Sequence, residues 1–276
     1  MPELPEVETV TQALRTYLLG RKILYVECYI DKLRYPLDLE AFSALKGLQI
    51  LDIRRRAKYI IFELEKQLSM LTHLGMTGSW RLESINEPKR KHDHVAFFLD
   101  HEEVLRYNDP RRFGFIEIVP LNQPGEEPAT LPELAPEPLS PEFDIDWLQK
   151  VCAPRTKPIK NLIMDNALVV GVGNIYASEA LFRAGIRPQA IAKTLSRQRL
   201  KKLHRAIIDV LQDAIAAGGS TIINFTSLNS QEGYFSRSLN VYGRAGEVCL
   251  KCERGRINRS VMAGRSTFYC GVCQRP

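Results

Sequence analysis

Four cysteines near the C-terminus, Cys249, Cys252, Cys270 and Cys273, form two Cys-x2-Cys pairs with 17 residues between them. Each pair suits a tight knuckle, and two knuckles complete a tetrahedral thiolate site for one zinc ion. Four protein ligands leave no open position, so such a zinc is structural, and a β-hairpin zinc finger is its expected form. An iron–sulfur centre and reduced free thiols are the alternatives. Pro2 and Glu3 raise a different chemistry at the other end of the chain. A small second residue permits removal of Met1, which leaves Pro2 with a free secondary amine. An α-amino group titrates at roughly 7.7–8.0, so a useful fraction is unprotonated at neutral pH. Such an amine condensing with a sugar C1′ gives a cationic iminium, an electron sink, and Glu3 would be a carboxyl placed for proton transfer. The plainer reading is that both residues are an extended lead-in to a helix.

Other stretches carry weaker signals. RRRAKYIIF (54–62) places Arg54, Arg55, Arg56 and Lys58 at the start of a strand, either as charges that protect a sheet edge or as a phosphate patch. DPRRFG (109–114) reads as a turn presenting Arg111, Arg112 and Phe113, and an aromatic beside arginines on a loop tip can be wedged into a base stack. HLGMTG (73–78) sets Met76 on a turn pattern between two glycines, although core packing is the usual fate of a methionine. KHDH (91–94) puts His92 and His94 on one face of a strand, with no third metal ligand nearby. Gly171-Val-Gly173 before Asn174 forms a turn into a helix N-terminus, where free N–H groups can meet a phosphate. A helix cap explains it equally well, and the third glycine of a dinucleotide fingerprint is missing.

The elements that must position these residues change along the chain. Leu4, Val7, Val10, Leu14 and Leu18 make an amphipathic helix ending at Gly20, with Pro5, Glu6 and Glu8 suited to its first turn. From Lys22 to about Val119 there are seven short runs rich in β-branched and aromatic residues, KILYVECYI, LQILDI, KYIIFEL, SMLTHL, HVAFFLD, EEVLRY and FIEIVP. They predict a two-sheet β-sandwich. Residues 120–146 hold seven prolines and seven acidic residues and no Lys or Arg, the signature of an interdomain linker. The net charge is +6, and setting this strip aside leaves 38 basic against 25 acidic residues, or +13. A basic body with an acidic strip suits a polyanionic partner. After the linker the pattern turns helical, most clearly in 196–219, where Ser196 caps and Gly218-Gly219 stop the helix. The stretch 226–238 is polar and poorly patterned, a loop. The tail 243–276 carries seven basic residues against two acidic ones around the cysteines. No apolar run reaches the roughly 18 residues of a membrane span and the N-terminus is acidic, so a cytoplasmic or nucleoid-associated protein is expected.

Together these pieces resemble the formamidopyrimidine-DNA glycosylase family of bacterial base-excision repair enzymes. The resemblance runs from MPELPEVET through RRAKY, HLGMTG, KHDH, DPRRFG, PEPLS, MDNALVVGVGNIYASE, GYF and VYGR to GRSTFYCGVCQ, essentially the whole chain. It implies an α+β multidomain fold: an N-terminal two-sheet β-sandwich with flanking helices (1–134), a helix–two-turn–helix domain (135–238, after a linker at about 120–146) and a zinc finger (239–276). It implies a bifunctional glycosylase and abasic-site lyase acting on double-stranded DNA held in a basic cleft, with the acidic linker lying away from it; a lone DNA-clamping cleft needs no partner, so a monomer is expected. By matching positions, Pro2 is the nucleophile, Glu3 the general acid/base, Lys58 a phosphate ligand and proton donor in β-elimination, and Arg265 the finger arginine linked to δ-elimination. Asn174 holds a phosphate; His92, Arg111 and Arg155 contact DNA, although CAPRTKPIK around Arg155 departs from the more lysine-rich family versions. Met76, Arg111 and Phe113 fill the void left by an extruded base. PELPEVET favours oxidised purines over the oxidised pyrimidines of the endonuclease VIII type, which begins PEGPE. The region of Gly233-Tyr234-Phe235 matches the loop that closes over such a purine. A sister enzyme with pyrimidine preference, and a catalytically silent zinc-finger DNA binder, are the competing expectations.

Overall fold

The computed structural model of the chain describes residues 2–219, 225–226 and 238–276. They divide into two compact units. One holds the residues up to Pro132 and the strand Phe225–Thr226; the other begins at Glu133 and includes 238–276.

The first unit starts with helix α1 (Leu4–Leu18). Its stripe of Leu4, Val7, Val10, Leu14 and Leu18 is buried, and Gly20, at φ +80°, turns the chain out of the helix. Strand β1 (Ile23–Cys28), a short helix α2 (Leu39–Ser43), and strands β2 (Ile50–Arg56), β3 (Tyr59–Leu64), β4 (Leu68–His73), β5 (Ser79–Ser84), β6 (Asp93–Leu99), β7 (Glu103–Asn108) and β8 (Phe115–Pro120) follow. Strand β9 (Phe225–Thr226) completes the unit. Two sheets result, in the orders β1-β6-β7-β5-β9 and β2-β3-β4-β8. All pairings are antiparallel except β5 with β9. One core joins α1 to the inner faces of both sheets, and Phe62 of one sheet meets Trp80 of the other edge-on with ring centroids 5.9 Å apart. Each such buried large side chain contributes about 1.5–3 kcal/mol by leaving water. The unit is therefore the expected two-sheet sandwich.

Three local readings change. Strand β5, SWRLES, was not among the seven expected runs. Its Trp80 and Leu82 face the core, while Arg81 and Glu83 point to the other face, where they are buried in an ion network with Asp93 and Arg106. Lys58 does not start a strand: Arg56 pairs with Tyr59, and Ala57 (φ 52°) and Lys58 form the two-residue turn joining β2 to β3. His92 lies before β6 in the left-handed region, φ 70°, so KHDH is not one continuous strand face. The His92 and His94 rings still come within 6.2 Å, centroid to centroid.

Residues 121–144 contain no helix or strand, as their prolines require. This connector does not stand clear of the basic cluster. Arg56 pairs with Glu127 at 2.6 Å, Arg54 donates to the Glu126 carbonyl, and Gly125 donates to Glu63 at 3.0 Å. Arg55 pairs with Glu8 of α1 at 2.6 Å.

The second unit contains α3 (Ile145–Cys152), α4 (Ile159–Ile163), α5 (Asn174–Ala184) and α6 (Arg197–Ala216), then the hairpin β10 (Ile257–Met262) and β11 (Arg265–Cys270). Asp144 caps α3 by accepting from the Trp147 N–H at 2.7 Å, and Ser196 caps α6. Helix α5 packs on α6 and on β11. Phe182 of α5 joins the small core of Val241, Cys249, Ile257, Phe268 and Cys270 under the hairpin. Glu179, buried in α5, accepts the backbone N–H groups of Asn240, Val241 and Tyr242, each at 2.9 Å, and the Asn240 amide at 3.1 Å. That carboxylate fixes the entry of the chain into the hairpin. No helix among the described residues is long and apolar enough to cross a membrane.

Candidate functional site

In the first unit, Pro2 is buried and immediately precedes the N-cap residue of α1, Glu3. Glu3 and Glu6 form a reciprocal capping box: the Glu6 carboxylate accepts the Glu3 N–H at 2.8 Å, and the Glu3 carboxylate accepts the Glu6 N–H. Both carboxylates are almost fully buried at the positive end of the helix dipole. The Glu8–Arg55 pair, with Arg55 also donating to the Ala57 carbonyl at 3.0 Å, ties the start of α1 to the turn that carries Lys58. The helix that Pro2 precedes and Glu3 caps is thus tied to the turn that carries Lys58, 55 positions after Glu3 in the chain. Lys58 is itself buried. It acts on His73 of β4, whose pKa is pushed down to about 4 by burial and by the positive charges of Lys58 and Arg34. His73 therefore stays neutral, and its Nδ1 accepts the Gly75 N–H at 2.9 Å.

Met76 and Phe113 are exposed apolar side chains on two separate loops. They line one cavity of about 310 Å³ together with Arg34, His73 and Gly75. The Arg111 guanidinium lies over the Phe113 ring, 4.5 Å from its centroid. The structure therefore brings Met76, Arg111 and Phe113 together, with two apolar surfaces and a cation exposed at one place.

In the second unit, Gly173 caps α5 and Asn174 is its first residue, the helix start expected from GVGN. The Asn174 amide donates to the Ser266 carbonyl at 2.9 Å, which places it beside Arg265 at the tip of the hairpin. Lys160, which the sequence reading missed, is fully buried beneath this contact. Its ammonium donates to Asn174 Oδ1 at 2.5 Å, Thr267 Oγ1 at 2.7 Å and the Ser266 carbonyl at 3.3 Å. Nothing in the local sequence marks it, because one partner is 14 residues away and the others more than 100. Arg155 lies three residues past the end of α3 and donates to the Val151 carbonyl at 2.7 Å.

The four cysteines converge, with all sulfurs within 4.8 Å of one another. Cys249–Cys273 and Cys252–Cys270 are each 3.8 Å apart. A tetrahedral thiolate site with metal–sulfur bonds of about 2.3 Å has edges of about 3.8 Å, so the cluster is compatible with a metal ion. Backbone N–H groups at Arg254 and Gly255 draw the Cys252 thiol down to about 6, whereas burial pushes Cys270 and Cys273 up, so it is the convergence of the four sulfurs that speaks for a metal.

The chain matches the formamidopyrimidine-DNA glycosylase N-terminal domain over residues 1–116 and the formamidopyrimidine-DNA glycosylase H2TH domain over residues 134–226. It is 48% identical over 276 residues to the formamidopyrimidine-DNA glycosylase of Alcanivorax borkumensis, covering 100% of both chains. It is 43% identical over 275 residues to that of Hahella chejuensis, again covering 100% of each. Solved structures similar to it include Lactococcus lactis Fpg in complex with a DNA containing an abasic site (TM-score 0.90, 35% identity, 99% and 100% coverage). Another is the same Lactococcus lactis protein with a Fapy-dG-containing DNA (TM-score 0.89, 35% identity, 99% and 100% coverage).

Proposed function

The chain belongs to the formamidopyrimidine-DNA glycosylase family, and on that premise we propose that it excises oxidised purines from duplex DNA and then cleaves the strand through a Schiff base on Pro2. It is a DNA glycosylase of base-excision repair. The observation that carries the catalytic reading is the placement of Pro2 one residue before a buried N-cap glutamate, on the helix tied to the Lys58 turn.

A glycosidic carbon inside a duplex is out of reach, so the damaged nucleotide must be swung out, at a cost of a few kcal/mol in lost stacking. Met76, Arg111 and Phe113 supply an apolar wedge and a cation to fill the vacated space. The Pro2 nitrogen, freed by removal of Met1, attacks C1′; the C1′–N bond to the base breaks, and the base leaves with a proton. Opening of the sugar ring, assisted by a proton from Glu3, gives an iminium that acidifies the C2′ protons. Loss of one of them expels the 3′ phosphate (β-elimination), and a second elimination expels the 5′ phosphate. Lys58, Asn174 and Arg265 serve as phosphate ligands, with Lys58 also the proton donor in β-elimination and Arg265 assisting δ-elimination; His92, Arg111 and Arg155 contact the DNA. Buried Lys160 orients Asn174. Hydrolysis then frees Pro2, with no redox cofactor in the cycle.

Zinc is the ion that best suits four thiolates with tetrahedral spacing, and we assign it a structural role: it holds the 239–276 segment so that β10 and β11 present Arg265. The three sequence segments, 1–134, 135–238 and 239–276, become the catalytic, helical and finger domains of a monomer that acts on chromosomal DNA in the cytoplasm. The stretch 226–238, assigned to purine recognition, lies almost entirely outside the described residues.

Borohydride trapping tests the reading directly. Duplexes carrying 8-oxoguanine opposite cytosine should give a covalent adduct that peptide mass spectrometry maps to Pro2, and duplexes with an oxidised pyrimidine should give less. A pyrimidine bias would favour the sister specificity. Absence of any adduct, or full cleavage by protein with an uncleavable N-terminal extension, would remove the amine from the mechanism.

A further inference from the structure

We propose that Asp109 is a positioning residue that locks the Met76 loop to the Arg111–Phe113 loop, so that the two enter a damaged duplex as one rigid wedge; this rests on the glycosylase reading above. Asp109 follows the end of β7 and is completely buried. Its Oδ1 accepts from the Thr77 hydroxyl and from the Arg111 N–H at 3.3 Å, and its Oδ2 accepts the Gly114 N–H at 2.9 Å. Thr77 belongs to the first loop, Arg111 and Gly114 to the second. The Arg111 N–H also reaches Thr77 Oγ1 at 3.2 Å, which closes a three-membered ring of contacts across the loops. The Asp109 backbone anchors the pair to the sheet: its N–H donates to the His92 carbonyl at 3.1 Å, and its carbonyl accepts from the Arg112 N–H at 3.1 Å and lies 2.9 Å from His94 Nε2.

The carboxylate forms no ion pair among the described residues, and the hydrogen bonds it accepts are all from neutral groups of the two loops. A fully buried charge held in this way is costly unless its donors are fixed. Placing it here defines the relative position of the tips rather than adding to the sandwich core. The glycines allow the same closeness. A Cβ on Gly75 would sit 2.4 Å from the Gly114 nitrogen, and one on Gly114 would sit 1.9 Å from the Tyr107 hydroxyl and 2.5 Å from the His73 carbonyl. The loops therefore touch backbone to backbone, with Asp109 as the clasp. The wedge is one body because both of its halves bond to the same carboxylate, sharing its Oδ1, while Oδ2 holds the far end of the second loop.

Asp109→Asn keeps the shape but replaces one acceptor with an amide donor facing an N–H or a hydroxyl. Excision of 8-oxoguanine from duplex DNA should fall at least tenfold in kcat/KM, whereas cleavage of a duplex with a preformed abasic site, which has no base to extrude, should stay within about threefold of wild type. A 2-aminopurine next to the lesion should brighten less on binding. Thr77→Val should shift both readouts in the same direction by a smaller factor, and Thr77→Ser, which keeps the hydroxyl, should track wild type. Equal loss of both activities with a lowered melting temperature, or no change in either, would overturn the clasp. If wild-type protein cleaved the abasic duplex but gave no borohydride adduct, the Pro2 reading would fail while the wedge comparison still stood.

Discussion

Glu179→Gln isolates the link between the helices and the finger. The wild-type carboxylate accepts four N–H donors, two on each oxygen. Glutamine keeps one oxygen and its two donors, but as a neutral amide, and it turns an NH2 group toward the other two. Hydrogen bonds to a buried charged group contribute about 1.5–3 kcal/mol each. Losing two and weakening two, less the relief of no longer burying a charge, gives a destabilisation of about 3–5 kcal/mol. At roughly 2–3 °C per kcal/mol for a protein of this size, calorimetry should show the melting temperature falling by about 6–15 °C. Duplex affinity should drop with it, because Tyr242 and the hairpin lose their anchor. A melting temperature within about 2 °C of wild type would mean that these four bonds do not hold the finger, and the inferred route of attachment would be wrong.

Cys252→Ser should release the bound metal to a chromophoric chelator and weaken DNA binding while near-UV circular dichroism still reports a packed sandwich; retained metal and unchanged affinity would contradict both assignments. Lys160→Met should weaken duplex binding about tenfold in fluorescence anisotropy at fixed salt, about 1.4 kcal/mol, with a small change in melting temperature because a buried charge is removed along with its bonds. The neutral His73, facing Lys58 and Arg34 and packed between the Tyr59 and Phe115 rings, makes stability fall on acidification. The unfolded chain binds this proton near 6.5 and the folded one near 4, so the contribution is full above pH 6.5 and is lost as pH drops toward 4, by about 3 kcal/mol at most. Urea midpoints should decline less over that window for His73→Gln than for wild type.

What could be read from the sequence was whatever repeats locally. The stripe of α1, the capped α6, seven of the sandwich strands and the paired cysteines all announce themselves within a few residues. Strand β5 was hidden because its outward side chains are charged yet buried, which breaks the polar-means-exposed rule behind period-2 reading. Asp109, Lys160 and Glu179 were illegible for another reason. Each is a single charged residue whose partners lie from 2 to 107 positions away, and no pattern in a window can supply the distant ones. Lys58 was placed one element late because an alanine with φ 52° gives no turn signal.

The acidic connector also changes how the charge tally should be used. Arg56 spends its charge on Glu127 of that connector and Arg55 its own on Glu8, while Arg54 is tied to the Glu126 backbone carbonyl, so a count that sets the connector aside overstates the field offered to DNA. A searching enzyme meets vast numbers of undamaged base pairs for each damaged one, and every surplus phosphate contact lengthens its stay at the wrong address. Cations muted from within the fold would shorten each such stay.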